Sequence, residues 1–208
     1  MTTTRWWWIR HAPVTSRAGW CYGQEDWPAD CSDGTAFAAL AGLLPRDALW
    51  VTTPLQRTRQ TAEAIGTAGY PLPQPFLVEP ELMEQSFGEW QSKRHDELRA
   101  APDSVHTNFW LAPARHKPPG GESFVEVTER VARAIDRLTR SHGGRDIVAV
   151  THGGTIRAAI GVALGLDPET ALGFQVENLS LTRLDHIRDG GFSGGDAWRV
   201  ARVNQPPR

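Results

Sequence analysis

Asp146-Ile147-Val148-Ala149-Val150-Thr151-His152-Gly153-Gly154 decides the architecture. Four consecutive apolar residues without polar alternation predict a strand covered on both faces, since a strand with one wet face alternates. A turn follows at His152-Gly153-Gly154, and the apolar-rich stretch 155–166 reads as a helix. The same design occurs twice upstream. Trp6-Trp7-Trp8-Ile9 is a short aromatic run that ends in Arg10-His11. Ala48-Leu49-Trp50-Val51-Thr52 closes with Thr53-Pro54 and leads into 55–68, where Leu55, Ala62 and Ile65 recur at helical spacing. Pro54 suits the first turn of that helix, where a missing N–H costs nothing, with Thr53 as its cap. Ahead of the third strand, Phe124, Val127, Val131, Ile135 and Leu138 step by threes and fours, the stripe of an amphipathic helix over 122–138. Helices alternating with buried strands predict an α/β fold, a three-layer α/β/α sandwich around a mostly parallel sheet. The stretches 179–184 and 198–203 read as closing strands separated by a Gly-rich turn at 190–195, and 204–208 as a loose tail.

At about 150 residues per domain, 208 residues make one domain, 1–208. The periodic pattern breaks between 85 and 121, where Pro102, Pro113, Pro118 and Pro119 interrupt mixed polar residues around Phe109-Trp110-Leu111. A stretch of that length is an excursion with a function, here a small helical or loop cap. Lys plus Arg total 22 against 24 Asp plus Glu, a net charge of −2, which argues against nucleic acid or an anionic membrane as partner. No apolar run approaches the ~18–20 residues needed to span a bilayer. Trp6 to Ile9 is too short for the apolar region of a secretory signal, so the expected location is cytoplasmic. Cys21 and Cys31 stand ten positions apart without zinc-ligand spacing and read as reduced thiols; neither metal nor cofactor is expected.

Ligands of open α/β sheets gather beyond the carboxyl ends of the strands. Those ends carry Arg10 and His11, Arg57 one helical turn after the second strand, and His152. Two guanidiniums and two imidazoles at one spot make an anion pocket of phosphate size, because the forked donors of Arg match pairs of oxygens. Taken singly, each residue has a plainer reading: His152 as a hydrogen-bonded structural histidine, Arg57 as a helix-surface charge. The Arg-His pair occurs three times, and Arg94-His95 and Arg115-His116, in polar stretches, read as solvated surface. Only Arg10-His11 follows a buried strand.

These residues resemble the histidine phosphatase superfamily, in the branch that includes phosphoglycerate mutases and α-ribazole phosphatases. Ile9-Arg10-His11-Ala12 is similar to its first motif, Thr53-Pro54-Leu55-Gln56-Arg57-Thr58-Arg59-Gln60-Thr61-Ala62 to its second, and Thr151-His152-Gly153-Gly154 to its last. Leu82-Met83-Glu84-Gln85-Ser86-Phe87-Gly88-Glu89-Trp90 resembles the segment carrying the catalytic acid, and Pro119-Gly120-Gly121-Glu122-Ser123 the approach to the helix after the cap. The matches run in the family's order from residue 5 to about 165. The resemblance implies His11 as the nucleophile that accepts the phosphoryl group, Glu84 as the proton donor, and Arg10, Arg57 and His152 as holders of the phosphate oxygens. Glu79, Glu81 and Glu89 lie close in sequence; spacing to Phe87-Gly88 favours Glu84, with Glu81 in reserve. Ala12 replaces the family's usual glycine, Pro13-Val14 stand where an acidic residue and a hydroxyl are frequent, and Thr53 replaces a serine. Arg17 is placed as an additional basic contact and Gln24 as a neighbour of the phosphate, each beside the plainer reading of surface charge or turn.

The resulting expectation is a metal-independent phosphomonoesterase acting on a small phosphate ester through a phosphohistidine intermediate. A mutase that returns the phosphoryl group to another oxygen is the first rival, disfavoured by the short cap. A catalytically silent phosphate-binding or interaction module is the second, disfavoured by the joint presence of His11, Arg57, Glu84 and His152. Trp20, Trp27, Phe109 and Trp110 leave two readings open: an aromatic wall for a nucleoside-like or otherwise apolar group, or ordinary packing, which is the default. Oligomeric state is not legible.

Overall fold

Side chains alternate along each strand, so the continuous apolar runs divide between two cores. In β1 (Thr2–Arg10) Trp6 and Trp8 join one core and Trp7 and Ile9 the other. Ile147 and Ala149 of a later strand likewise part from Val148 and Val150. The computed structural model describes residues 1–191 and 194–207. After β1 come β2 (Trp20–Cys21), α1 (Gly34–Leu43), β3 (Ala48–Thr52), α2 (Gln56–Thr67), β4 (Leu77–Val78), β5 (Lys93–Arg94), α3 (His95–Ala100), α4 (Phe124–Ser141), β6 (Asp146–Thr151), α5 (Gly153–Leu164), α6 (Pro168–Ala171), β7 (Leu181–Arg188) and β8 (Ala197–Gln205).

The main sheet has the order β4-β3-β6-β1-β7-β8. Its first four strands pair in parallel, and β7 pairs antiparallel with both β1 and β8, so the sheet is mixed and mostly parallel. α1 and α2 cover the face of Trp7 and Trp50, α4 and α5 the face of Trp6 and Trp8, which completes the three layers. β1 and β6 run in register from Arg5 opposite Asp146 to Arg10 opposite Thr151, so both strands end at the same level. His11 and His152 therefore leave the sheet side by side, and the His11 N–H donates to the Thr151 carbonyl at 2.9 Å. Among the described residues no helix is long and apolar enough to cross a membrane.

Several boundaries differ from the sequence expectation. α2 begins at Gln56 with Leu55 as its cap residue, so Pro54 precedes the helix and Thr53 is not its cap. The Thr53 hydroxyl accepts from the Leu55 N–H at 3.3 Å and faces Thr58 and His152 instead. α5 starts at Gly153, two residues early, which makes His152 its N-cap residue. β8 continues to Gln205, and the Asn204 N–H donates to Thr182 Oγ1 at 3.1 Å, so the first two residues of the expected loose tail are paired; Arg208 lies outside the described residues. Residues 192 and 193 of the Gly-rich turn also lie outside them. α1 was not expected, because its small apolar residues stand all round the helix and make no stripe; Asp33 caps it by accepting from the Ala36 N–H at 3.0 Å. The excursion at 85–121 holds β5, α3 and a 3₁₀ turn at Gly88–Trp90. β5 pairs antiparallel with β2, so the cap is assembled from two segments distant in sequence.

Candidate active site

His11 is 1% exposed and His152 fully buried, with ring centroids 5.2 Å apart at 60°. His11 Nδ1 lies 2.6 Å from the Ala12 carbonyl oxygen, which can only accept, so Nδ1 carries the proton and Nε2 keeps its lone pair. Burial, then the charges of Arg57 and Arg10, hold His11 well below the usual imidazole range. The same balance acts on His152, where burial is followed by Arg57, His11, Arg130 and Arg10. Both rings are thus neutral at pH 7. His152 Nε2 meets Thr53 Oγ1 at 3.0 Å, while its Nδ1 is buried without a protein partner. Asn178 holds the backbone at His11 by donating from Nδ2 to the His11 carbonyl at 2.8 Å.

The guanidiniums are anchored by carbonyls rather than carboxylates. Arg10 Nη1 donates to the Val176 oxygen at 2.7 Å; Arg57 donates to the Glu25 oxygen at 2.7 Å and the Gly23 oxygen at 2.6 Å. Among the described residues neither forms an ion pair, and the Nε atoms of both are buried without a hydrogen-bond partner. A third guanidinium, not anticipated from the sequence, joins them. Arg157 Nε donates to the Phe174 oxygen at 2.7 Å, and burial next to Arg10 lowers its pKa to about 10, still cationic at pH 7. It was detectable as the only charged residue in the apolar stretch 155–166. A Cβ added at Gly153 would stand 3.2 Å from Arg157 Nη1 and 3.4 Å from Arg10 Nε, so glycine lets two cations close on the N-terminus of α5. That end of a helix is itself positive. Such a gathering is unfavourable by itself and is relieved by an oxyanion.

Glu84 reaches the same helix end from the loop after β4. Its carboxylate accepts from the Gly154 N–H at 3.1 Å and the Gln85 N–H at 3.0 Å. The backbone carrying it is clamped. Arg130 of α4 donates to the carbonyls of Glu81 (2.7 Å), Met83 (2.8 Å) and Glu84 (3.0 Å), and pairs with the Glu122 carboxylate at 2.9 Å. Thr155 Oγ1 donates to the Met83 carbonyl at 2.8 Å. Glu81, the reserve acid, points elsewhere: burial raises its pKa, but hydrogen bonds from Arg137 and Arg133 outweigh that and leave it below the usual carboxylate range.

Gln24 does adjoin this region, and its amide nitrogen Nε2 donates to the Glu84 carbonyl at 2.9 Å and so braces the Glu84 backbone. Arg17 stacks on Trp27 at 3.7 Å and Trp20 at 5.2 Å. A pocket of about 230 Å³ opens beside Arg10 and Glu84, and of the four aromatics singled out from the sequence Trp20, Phe109 and Trp110 line it; Trp27 and Arg17 do not. His95 and Arg99 also line it, so one of the Arg-His pairs read as plain surface contributes its histidine to the pocket. Among the described residues no group of three or more His, Cys, Asp or Glu side chains is disposed to hold a metal ion.

A family model described as the histidine phosphatase superfamily (branch 1) matches residues 6–195. The glucosyl-3-phosphoglycerate phosphatase of Mycolicibacterium vanbaalenii is 33% identical over 210 residues, covering 92% of this chain and 90% of that protein. The bifunctional protein Rv2228c of Mycobacterium tuberculosis is 32% identical over 170 residues, which cover 80% of this chain but 44% of that protein, so this chain spans less than half of that relative's length. Among solved structures, mycobacterial glucosyl-3-phosphoglycerate phosphatase Rv2419c superposes with a TM-score of 0.79 at 26% identity, covering 98% of this chain and 99% of that one.

Proposed function

The chain belongs to branch 1 of the histidine phosphatase superfamily, and from that premise we propose that it is a phosphomonoesterase that hydrolyses a small phosphate ester through a phosphohistidine on His11. The observation that carries the reading is the meeting, at one helix end, of a buried imidazole with a free Nε2 and of unpartnered nitrogens on Arg10, Arg57 and His152. In the first step His11 Nε2 attacks phosphorus, the bond to the ester oxygen breaks, and Glu84 acts as the general acid that gives a proton to the departing oxygen. In the second step Glu84 takes a proton from water as the water oxygen attacks phosphorus; the P–N bond breaks, inorganic phosphate leaves, and His11 is neutral again. Arg10, Arg57, Arg157 and His152 stabilise the phosphoryl oxygens throughout. Phosphoryl transfer is mostly positioning and electrostatics, so these donors do the work that metal ions do in other phosphatases.

A net charge of −2 favours a small ester over nucleic acid or an anionic membrane, and a cytoplasmic location fits such a substrate. The test is phosphate release from p-nitrophenyl phosphate in the presence of EDTA, with His11→Ala silent and its acid-labile, base-stable phosphoryl label lost. Incubation with 3-phosphoglycerate and a trace of 2,3-bisphosphoglycerate is expected to release phosphate; 2-phosphoglycerate formed without free phosphate sinks the hydrolase in favour of a mutase.

A further inference from the structure

The pocket next to Glu84 has a chemical character that the transfer machinery does not require. Its floor is apolar: Phe87 is 4% exposed and Cys21 2%, and burial pushes the Cys21 thiol up to about 12, so it is neutral at pH 7. Its wall is a tryptophan fixed in place. Trp110 donates from Nε1 to Gln85 Oε1 at 2.8 Å, lies 4.7 Å from the Arg157 guanidinium, and stands against Phe87 at 6.1 Å. A Cβ at Gly154 would come within 3.3 Å of Trp110 Cζ2, so this ring adjoins the helix end where the Glu84 carboxylate sits. Trp20 also lines the pocket, held between Arg17 and Arg94 at 5.2 and 5.8 Å.

Two of the polar groups that face this space are committed. The Glu84 carboxylate accepts from two backbone N–H groups, and Arg10 donates to the Val176 carbonyl. The others are Tyr22, His95, Asn108 and Arg99, the last of which forms no ion pair among the described residues. Beside them Phe109 is 67% exposed, a cost in water that a bound ring removes. The volume of about 230 Å³ falls below the ~300–1,000 Å³ typical of drug-sized ligand sites, which suits one small group.

We propose that this pocket receives the alcohol half of the substrate and selects a planar aromatic or similarly apolar group over a polyhydroxylated one. A sugar needs hydrogen-bond partners for most of its hydroxyls, and the stretch of lining made by Trp20, Phe87, Phe109, Trp110 and Leu111 is largely apolar. A ring carried one or two carbons from the ester oxygen stacks on Trp110 and Phe109 while its phosphate sits among Arg10, Arg57 and His152. The inference rests on the phosphatase reading and deepens it to a substrate class.

The experiment compares kcat/KM for 2-phenylethyl phosphate and glucose 6-phosphate, both esters of primary alcohols, so that leaving-group strength does not bias the ratio. The expected ratio favours the phenylethyl ester. In Phe109→Ala, whose side chain is exposed and outside both cores, that ratio falls roughly two- to tenfold, the range of one lost aromatic contact. A wild-type preference for the sugar ester, or a ratio unmoved in Phe109→Ala, overturns the proposal. Binding is read separately with 2-phenylethylphosphonate, which is not hydrolysed: quenching of tryptophan fluorescence, weaker in Phe109→Ala, is expected, and binding no tighter than methylphosphonate also overturns it. Tight phosphonate binding without phosphate release from any ester sinks the hydrolase and leaves the pocket's selectivity standing.

Discussion

Replacing Gly154 by alanine adds one methyl group where the Glu84 carboxylate already lies. The backbone there is helical, which alanine tolerates better than glycine, and the obstacle is the far end of a movable side chain. Stability is therefore expected to hold while the carboxylate is displaced. A shift of about 1 Å in a catalytic group costs up to roughly 100-fold, so kcat for alkyl esters falls by at least about tenfold with Tm unchanged. Glu84→Gln separates the proton from the position: alkyl esters, with poor leaving groups, slow far more than nitrophenyl esters, and equal losses on both remove Glu84 from the role of acid. The candidate residues could be singled out in the sequence because Arg10 ends β1, His11 and His152 directly follow β1 and β6, and Arg57 stands in the first turn of the helix after β3. Arg157 was passed over because it stands on a helix whose other residues announce a core, and a sequence does not say which face of that helix abuts the strand ends.

α4 reaches the backbone of Glu84 through Arg130. Arg130 joins three carbonyls of the loop 81–84 to Glu122, and the pair is largely out of solvent, with side chains 11% and 18% exposed. Arg130→Gln leaves Glu122 without its partner, a loss of about 3 kcal/mol read by chemical denaturation. It also frees the Glu84 backbone, so kcat falls more for alkyl than for nitrophenyl esters while competitive inhibition by inorganic phosphate stays within about twofold. Equal losses on both esters would make Arg130 a purely structural residue. At this scale the long periodic elements were legible, since α4 shows its stripe and β1, β3 and β6 their continuous apolar runs. α1 and the pairing of β2 with β5 were not: the first lacks a stripe, and the second joins dipeptides about 70 residues apart.

The whole molecule carries a pH dependence set by its two buried imidazoles. In the unfolded chain histidines titrate near 6.5, whereas in the fold His11 and His152 stay neutral well below that because burial and neighbouring arginines oppose a further charge. Below pH 6.5 the unfolded state therefore binds more protons, so stability is complete above that value and is lost as pH falls toward the folded-state pKa values. Melts between pH 7 and 5 are expected to show falling Tm, and the slope should flatten in His152→Asn; a pH-independent Tm contradicts neutral buried rings. From the sequence by itself, the chain determined its α/β class, the strand ends and the charged and imidazole side chains gathered there, because apolar periodicity and strand-to-helix turns are local properties. Only the tertiary structure decided that β1 and β6 end level, that Gln24 and Arg130 donate to the Glu84 carbonyl, and that a tryptophan from the cap walls the pocket. Those are contacts between residues far apart in the chain, fixed by how layers pack and not by any pattern within one segment.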